Sequence, residues 1–557
     1  MVSPLLLVAW QVAVLQSDSL TTLRTARRAQ AEFERQRRAL APLAPARSTG
    51  PCDEQIGRFC YWYDGDGSDA PPEPPAIAAA RARLIERFDS AAARIPGDPW
   101  VAGQRVRYLV ESGRTDEAVA TARRCGGAAW WCEALEGLAR HAAGQFVAAD
   151  SIYASALRDM PTDERCRWLD LSPILAGPLR QRFLALGCDA RTAFAERVWW
   201  LAQPLYAHPG NDRRTEHWAR LTMVQLLAGA TSAWALPPAD DLRELIVRYG
   251  WPEAWSQDPM QPSDVRPLMV GHERQPSYHF LPDVIPPADT TPLPGATWTL
   301  APALTRERYA PAYAASFETL FPDLAVFRRG ESTLVVVAYD LARDTLFTRH
   351  RLDAALVLAA NEHAPLVVQR RSDAPPAGVV VAVGPGTSQV ASFEVTTDSP
   401  AHAARARVGI APWDPARPGL VLSDVLTFEP GDSLPTDLAD VLPLVRGPAR
   451  VRRGGRIGLY WELYGVAPSG EALMARVTVA PTRTGLLRRL GGWLGLGARR
   501  RETRLEWQEG GRPRSGIVRR SLVVDLATLT PGRYRIEVTV ATSQGGSRAA
   551  SRDLEVL

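Results

Sequence analysis

The chain has 557 residues, 46% of them hydrophobic and 23% charged, with a formal net charge of +4. It is too long for one hydrophobic core, too apolar for general disorder, and too balanced in charge to point to nucleic acid. All 65 basic residues are arginines, which excludes a Schiff-base lysine, a phosphate-loop lysine and a kinase lysine together.

Residues 1–20 contain a short apolar run, Pro4 to Leu15, followed by Ser17-Asp18-Ser19. The run is too short to span a bilayer and matches the core of a signal peptide; a buried N-terminal helix is the alternative. No cysteine follows it closely, which excludes a lipoprotein anchor, and no later stretch reads as membrane-spanning. Residues 21–75 form a leader with one weak helical face, Leu23, Phe33 and Leu40. Within it, Cys52 to Tyr63 reads as a disulfide-closed loop carrying aromatic residues. The acidic stretch Asp64 to Asp69 has Pro75 where a calcium loop needs its closing glutamate, so it reads as a turn.

The six cysteines fall into three local pairs: Cys52 with Cys60, Cys125 with Cys132, and Cys166 with Cys188. Pairing of neighbours is the simplest arrangement in an oxidising compartment, although six cysteines permit many connectivities. There is no Cys-x-x-Cys spacing, which argues against zinc and against a thioredoxin-like centre.

Residues 76–235 carry an internal echo. Trp100 recurs as Trp131, Gly113 as Gly144 and Ala118 as Ala149. Such a fixed spacing marks stacked helical hairpins that bury their apolar faces only against one another. In the second copy Gly137, Gly144, Ala149, Tyr153, Ala156 and Pro161 fall at tetratricopeptide spacing: small residues let paired helices nest, the tyrosine fills the gap, and the proline ends the second helix. Residues 236–300 are rich in proline and read as an extended junction. Beyond them the periodicity turns to alternation, with short strands separated by Gly, Pro and Asp turns. The expected fold class is therefore multidomain α + β: tetratricopeptide-like repeats, then antiparallel immunoglobulin-like sandwiches at 301–415 and 416–557, with one merged sheet as the alternative.

Few constellations suggest chemistry. His272 and His279 are seven residues apart with Pro276 between them, so they lack the one-turn spacing of a zincin. There is no nucleophile elbow, phosphate loop or dinucleotide fingerprint, so no catalytic, metal or cofactor-binding residue is assigned and no cofactor is expected. Leu486, Leu487, Arg488, Arg489, Leu490, Trp493 and Leu494 mix apolar and basic residues, which suits an anionic membrane surface or a partner; a long hairpin loop is the alternative.

At Asp241 to Pro252, containing Arg248, Tyr249, Gly250, Trp251 and Pro252, the chain resembles bacterial GWxTD-domain proteins. Phe327-Arg328-Arg329-Gly330 and Pro531-Gly532-Arg533-Tyr534 extend the resemblance across residues 205–557. It implies export and carries over no catalytic residues, while the similarity of the repeats to tetratricopeptide domains implies peptide or protein binding. The resulting expectation is an exported, non-catalytic envelope scaffold that binds a protein partner through its helical repeats. A hydrolase site near Tyr249–Trp255 and His272–His279 is one alternative. Carbohydrate binding by sandwich aromatics, with Trp413, Trp461 and Trp507 as candidates, is the other.

Overall fold

The computed structural model describes residues 4–43, 53–61, 70–257, 269–282, 298, 300, 305–399, 401–413, 419–467, 470–482, 503–511, 513–542 and 546–557, with side chains from residue 18 onward in the first helix. The chain divides into two compact units, Met1–Ile285 with Thr297–Ala315 and Pro286–Ala296 with Ser316–Leu557. The first is mainly helical and the second is built of β-sheets, nearly all antiparallel.

The helical unit runs α1 (Pro4–Leu40), a small hairpin of β1 (Glu54–Ile56) and β2 (Phe59–Tyr61), then α2 (Pro75–Arg94), α3 (Pro99–Glu111), α4 (Thr115–Ala122), α5 (Ala129–Ala142) and α6 (Phe146–Asp159). α7 (Thr162–Trp168), α8 (Gly177–Leu184), α9 (Cys188–Ala202), α10 (Asp212–Leu227) and α11 (Asp240–Tyr249) follow, then β3 (Ala254–Gln257) paired antiparallel with β4 (Met269–His272). Ala26, Ala29 and Phe33 of α1 share a core with Ile77, Leu84, Ile85 and Phe88 of α2.

The 31-residue echo has a backbone counterpart. α3 ends with Gly113 N–H on the Val110 carbonyl and Arg114 N–H on the Leu109 carbonyl; α5 ends with Gly144 N–H on His141 and Gln145 N–H on Arg140. Both glycines are left-handed, at φ +70° and +71°. This is the Schellman closure, in which a residue without a Cβ satisfies the orphan carbonyls of a helix end. Ala118 and Ala149, each fully buried, then start the returning helices. A Cβ on Gly137 would lie 2.7 Å from the Tyr153 ring, so the glycine is what admits that ring between α5 and α6. Ala156 is buried beside them, Pro161 follows α6 directly, and Trp100 and Trp131 both flank the core.

One helix changes the meaning of this stack. α10 is buried over most of its surface and lies along α3 and α5. Gln104 donates to the Leu226 carbonyl at 2.9 Å, a Cβ on Gly103 would touch Leu226 at 2.8 Å, and Tyr153 meets Thr222 at 3.3 Å. The side of the hairpins along α3 and α5 is therefore packed by the chain's own helix.

The junction expected over residues 236–300 is not an extended linker throughout. α11 and the β3–β4 hairpin belong to the helical unit, because Trp234, Trp251 and Trp255 pack edge to face with ring centroids 4.7–5.7 Å apart. Residues 305–313 also return to the helical unit, so the β unit's first strand starts at Ser316 rather than near residue 301.

That unit contains β5 (Ser316–Thr319), β6 (Asp323–Arg329), β7 (Ser332–Asp340), a short α12 (Thr345–Thr348), β8 (Leu352–Ala359), β9 (Val367–Arg371), β10 (Ala377–Pro385), β11 (Gln389–Thr397) and β12 (His402–Ile410). Sheet β10-β7-β6 faces sheet β5-β12-β11-β8-β9 across one core. There follow β13 (Val421–Leu422), β14 (Leu426–Phe428), α13 (Leu438–Val441), β15 (Arg450–Val451), β16 (Arg456–Tyr464), β17 (Glu471–Pro481), β18 (Thr503–Gly511), β19 (Ile517–Asp525), β20 (Gly532–Thr542) and β21 (Ser547–Val556). Here β16 pairs with β13, β14 and β19, and this sheet packs on β15-β21-β20-β17-β18. A third core joins the two halves: Val336 and Ala338 of β7 meet Phe428 and Tyr460. β7 and β16 are thus buried on both faces, which is why Leu334 to Tyr339 is an unbroken apolar run rather than an alternating one.

Candidate functional site

The residues singled out at the junction converge on the C-terminus of α11. Gly250 ends the helix at φ +106°, and a Cβ there would lie 3.4 Å from the Arg220 guanidinium. That guanidinium donates to the carbonyls of Val247, Arg248 and Arg308 at 3.2, 2.8 and 2.8 Å, placing a cation where the helix leaves unpaired carbonyls. Arg248, itself buried, makes a two-pronged pair with Glu54 at 2.7 and 2.6 Å and donates to the Arg306 carbonyl. Tyr249 donates to Glu54 at 2.9 Å and stacks on Tyr61 with centroids 3.5 Å apart. Trp251 packs with Trp234 and Trp255, over the Arg107 guanidinium, and Pro252 lies against Gly271. Arg248 to Pro252 therefore fastens the β1–β2 hairpin, α10, α11 and the segment at residues 305–308 to one another.

A second cluster surrounds the first turns of α10. Glu307, fully buried, accepts from Arg213 at 2.7 and 3.0 Å through Oε2, while its Oε1 accepts from the Phe280 amide at 3.2 Å and lies 2.8 Å from His279 Nδ1. His141 lies with Nε2 2.8 Å from Glu216 and Nδ1 2.9 Å from the Thr215 hydroxyl. Burial would raise the carboxyls of Glu216 and Glu307, but Arg220 with His141, and Arg213 with His279, outweigh it and hold both well below the usual range. Asp212, beside Tyr309 and buried completely, is instead pushed up to about 6 by loss of water. Burial and the neighbouring Arg213 and Arg220 lower the His217 imidazole well below its ordinary value.

The two histidines first considered for a metal do not meet. His272 Nε2 lies 2.7 Å from the Ser256 hydroxyl and His279 faces Glu307. Ser256 and Thr215, the hydroxyls nearest an imidazole here, are both fully buried. These pairs hold segments of the helical unit together.

The disulfides Cys125–Cys132 and Cys166–Cys188 are formed as neighbour pairing anticipates, tying α4 to α5 and α7 to α9. Cys60 is also disulfide-bonded, and Cys52 lies outside the described residues. Leu486, Leu487, Arg488, Arg489, Leu490, Trp493 and Leu494 lie outside them too. Of the sandwich aromatics, Trp461 is core, Trp413 donates to the Gly330 carbonyl against Arg328, and Trp507 is half-buried beside Glu509. They do not form an exposed row. Arg213, Glu307, Glu54 and Arg220 went unnoticed in the sequence: Arg213 and Glu307 are 94 positions apart and neither sits in a motif.

No family model and no curated protein matches the chain. Among solved structures it is similar to a red sea bream transglutaminase at 11% identity, covering 42% of this chain and 31% of that one with a TM-score of 0.15. It is similar to dimeric latent PorU from Porphyromonas gingivalis at 15% identity, covering 42% and 20%, with a TM-score of 0.20. The FN1–FN3 domains of chicken CNTN1 match at 11% identity, covering 54% and 84%, with a TM-score of 0.15. The chain thus spans about a third of the length of the transglutaminase. Scores this low carry neither fold nor function across.

Proposed function

We propose that the chain is an exported, non-catalytic interaction protein, tetratricopeptide-like in its first unit, immunoglobulin-like in its second, and related to GWxTD-domain proteins. The observation that carries this reading is how the reactive side chains of the helical unit are used. Several of its buried imidazoles, carboxylates and guanidiniums pair with one another, as in Arg213–Glu307 and His141–Glu216, so they stiffen a platform. Disulfides on that platform favour an oxidising compartment, and among the described residues no helix is long and apolar enough to cross a membrane.

Because α10 occupies the side of the hairpins along α3 and α5, the protein partner is read onto the outer face of α6. There Val147, Ser151, Ala154 and Arg158 form an exposed, weakly polar stripe, with Val147 58% exposed. The test is a photo-crosslinking amino acid placed at Ser151 of the full chain, in its native envelope. The reading expects one protein species captured there and not from a control position on α2, such as Arg83. Capture at both positions alike, or turnover of ester, peptide or glycoside substrates that survives purification, would refute it.

A further inference from the structure

The β unit contains a cleft of about 570 Å³ lined by polar and apolar side chains, a volume within the roughly 300–1,000 Å³ range of small-molecule sites. It is lined by the turn from β5 to β6 and the end of β7, and by Arg450 and Glu555, which pair with each other at 3.1 Å. Phe321 lines it and is 83% exposed, the most exposed of the large apolar side chains described. A phenyl ring held out in water from a short turn and followed by Pro322 is a flat apolar face waiting for a cover.

The polar groups beneath the ring are held in place by the backbone. Asp340 accepts from the Ala342 amide and Asp344 from the Leu346 amide, each at 3.0 Å through one oxygen. Each carboxylate is thereby fixed in orientation with a second oxygen to spare. Arg343, between them in sequence and also in the lining, makes no ion pair among the described residues. Planar acceptors, one unpaired guanidinium and one exposed ring are complementary to a sugar: paired hydroxyls meet the carboxylate and guanidinium edges, and the C–H face of the pyranose covers the ring.

We infer that this cleft binds a short oligosaccharide, with Phe321 as the stacking face and Asp340, Arg343 and Asp344 as the hydroxyl contacts. A peptide suits it less, because Leu320, Tyr339, Leu341 and Phe393 of the lining are buried, and of its large apolar side chains only Phe321 and Leu557 are exposed. The inference is independent of the protein-binding reading of α6.

The full chain should be applied to a glycan array spanning neutral, amino-sugar and uronic-acid oligosaccharides, and hits titrated by calorimetry. Binding is expected, weakened at least tenfold by Phe321→Ala and by Arg343→Gln, and retained by Phe321→Trp. Since Phe321 and Arg343 are exposed, an unchanged melting profile separates loss of binding from loss of fold. No retained glycan, glycan binding indifferent to both substitutions, or an extended peptide captured in a Phe321-dependent way would each overturn the inference.

Discussion

Glu307→Gln is the sharpest perturbation of the helical unit, because it removes a charge and almost no volume. In the native protein the Glu307 carboxylate holds the fully buried Arg213 by two bonds and also takes the Phe280 amide. Among the described residues Arg213 makes no other ion pair, and its Nη1 already lacks a hydrogen-bond partner. Leaving that guanidinium uncompensated costs about 3–5 kcal/mol, a large part of the ~5–15 kcal/mol that stabilises a typical domain. A chain of two units does not unfold as one transition, so a single melting temperature is the wrong readout. Hydrogen exchange followed by mass spectrometry on peptides covering residues 305–313 and α10 reports the local opening instead. Because each ~1.4 kcal/mol is a factor of ten, exchange there should accelerate about a hundredfold or more. Adding Arg213→Met should recover most of the protection, since the stranded cation goes with it. The acid limb supplies a sign: a carboxyl held below its ordinary value stabilises above its unfolded pKa, and that contribution fades as pH falls through the folded value. Glu307→Gln should therefore flatten the loss of protection on acidification. Acceleration below about threefold, or no recovery in the double variant, would refute the assignment of Glu307 as the counter-charge.

Asp212 should behave in the opposite sense. Raised by burial to about 6, it contributes stability that is present below its unfolded pKa and lost as pH climbs through 6, on the order of 3 kcal/mol across that window. Asp212→Asn should therefore be more protected than the native chain at pH 7 and indistinguishable from it at pH 4. Gly113→Ala and Gly144→Ala should each cost about 1 kcal/mol, nearly equally, since a Cβ at either meets nothing within 4 Å and only the left-handed backbone is penalised; chemical denaturation of the two single variants tests the equality. Replacing both members of Cys166–Cys188 should lower stability by about 3.4 kcal/mol and of Cys125–Cys132 by about 2.5, because the longer loop regains more freedom when opened; a reversed order would count against the entropic account.

Much of the fold was legible because it is written locally. Gly113 and Gly144 end α3 and α5 through contacts within six residues, and the alternation of Ile457, Leu459, Trp461 and Leu463 marks one face of β16. β11 is hard to read in the sequence because both its faces are buried, so its side chains do not alternate cleanly. The junction misled because proline density is a property of the chain, whereas the burial of Trp234 against Trp251 and Trp255 is a property of three residues meeting in space. The pairing of Arg213 with Glu307 was invisible for the same reason. Phe321 could have been suspected from the Leu320-Phe321-Pro322 turn, but only coordinates show its ring left uncovered.

Apart from the imidazoles of His141 and His279, the buried cations of the helical unit are guanidiniums, and this sets the two ends of its pH scale apart. An ammonium sealed in the same places could escape its carboxylate by losing a proton as alkali rises; Arg37, Arg107 and Arg213 cannot. The enclosed phenols offer no exit either, since burial moves Tyr108, Tyr153 and Tyr309 away from the neutral range. Alkali therefore leaves these guanidiniums and phenols as they are, and melting profiles should stay level well above neutral pH while acid dismantles the carboxylate side of the arginine pairs.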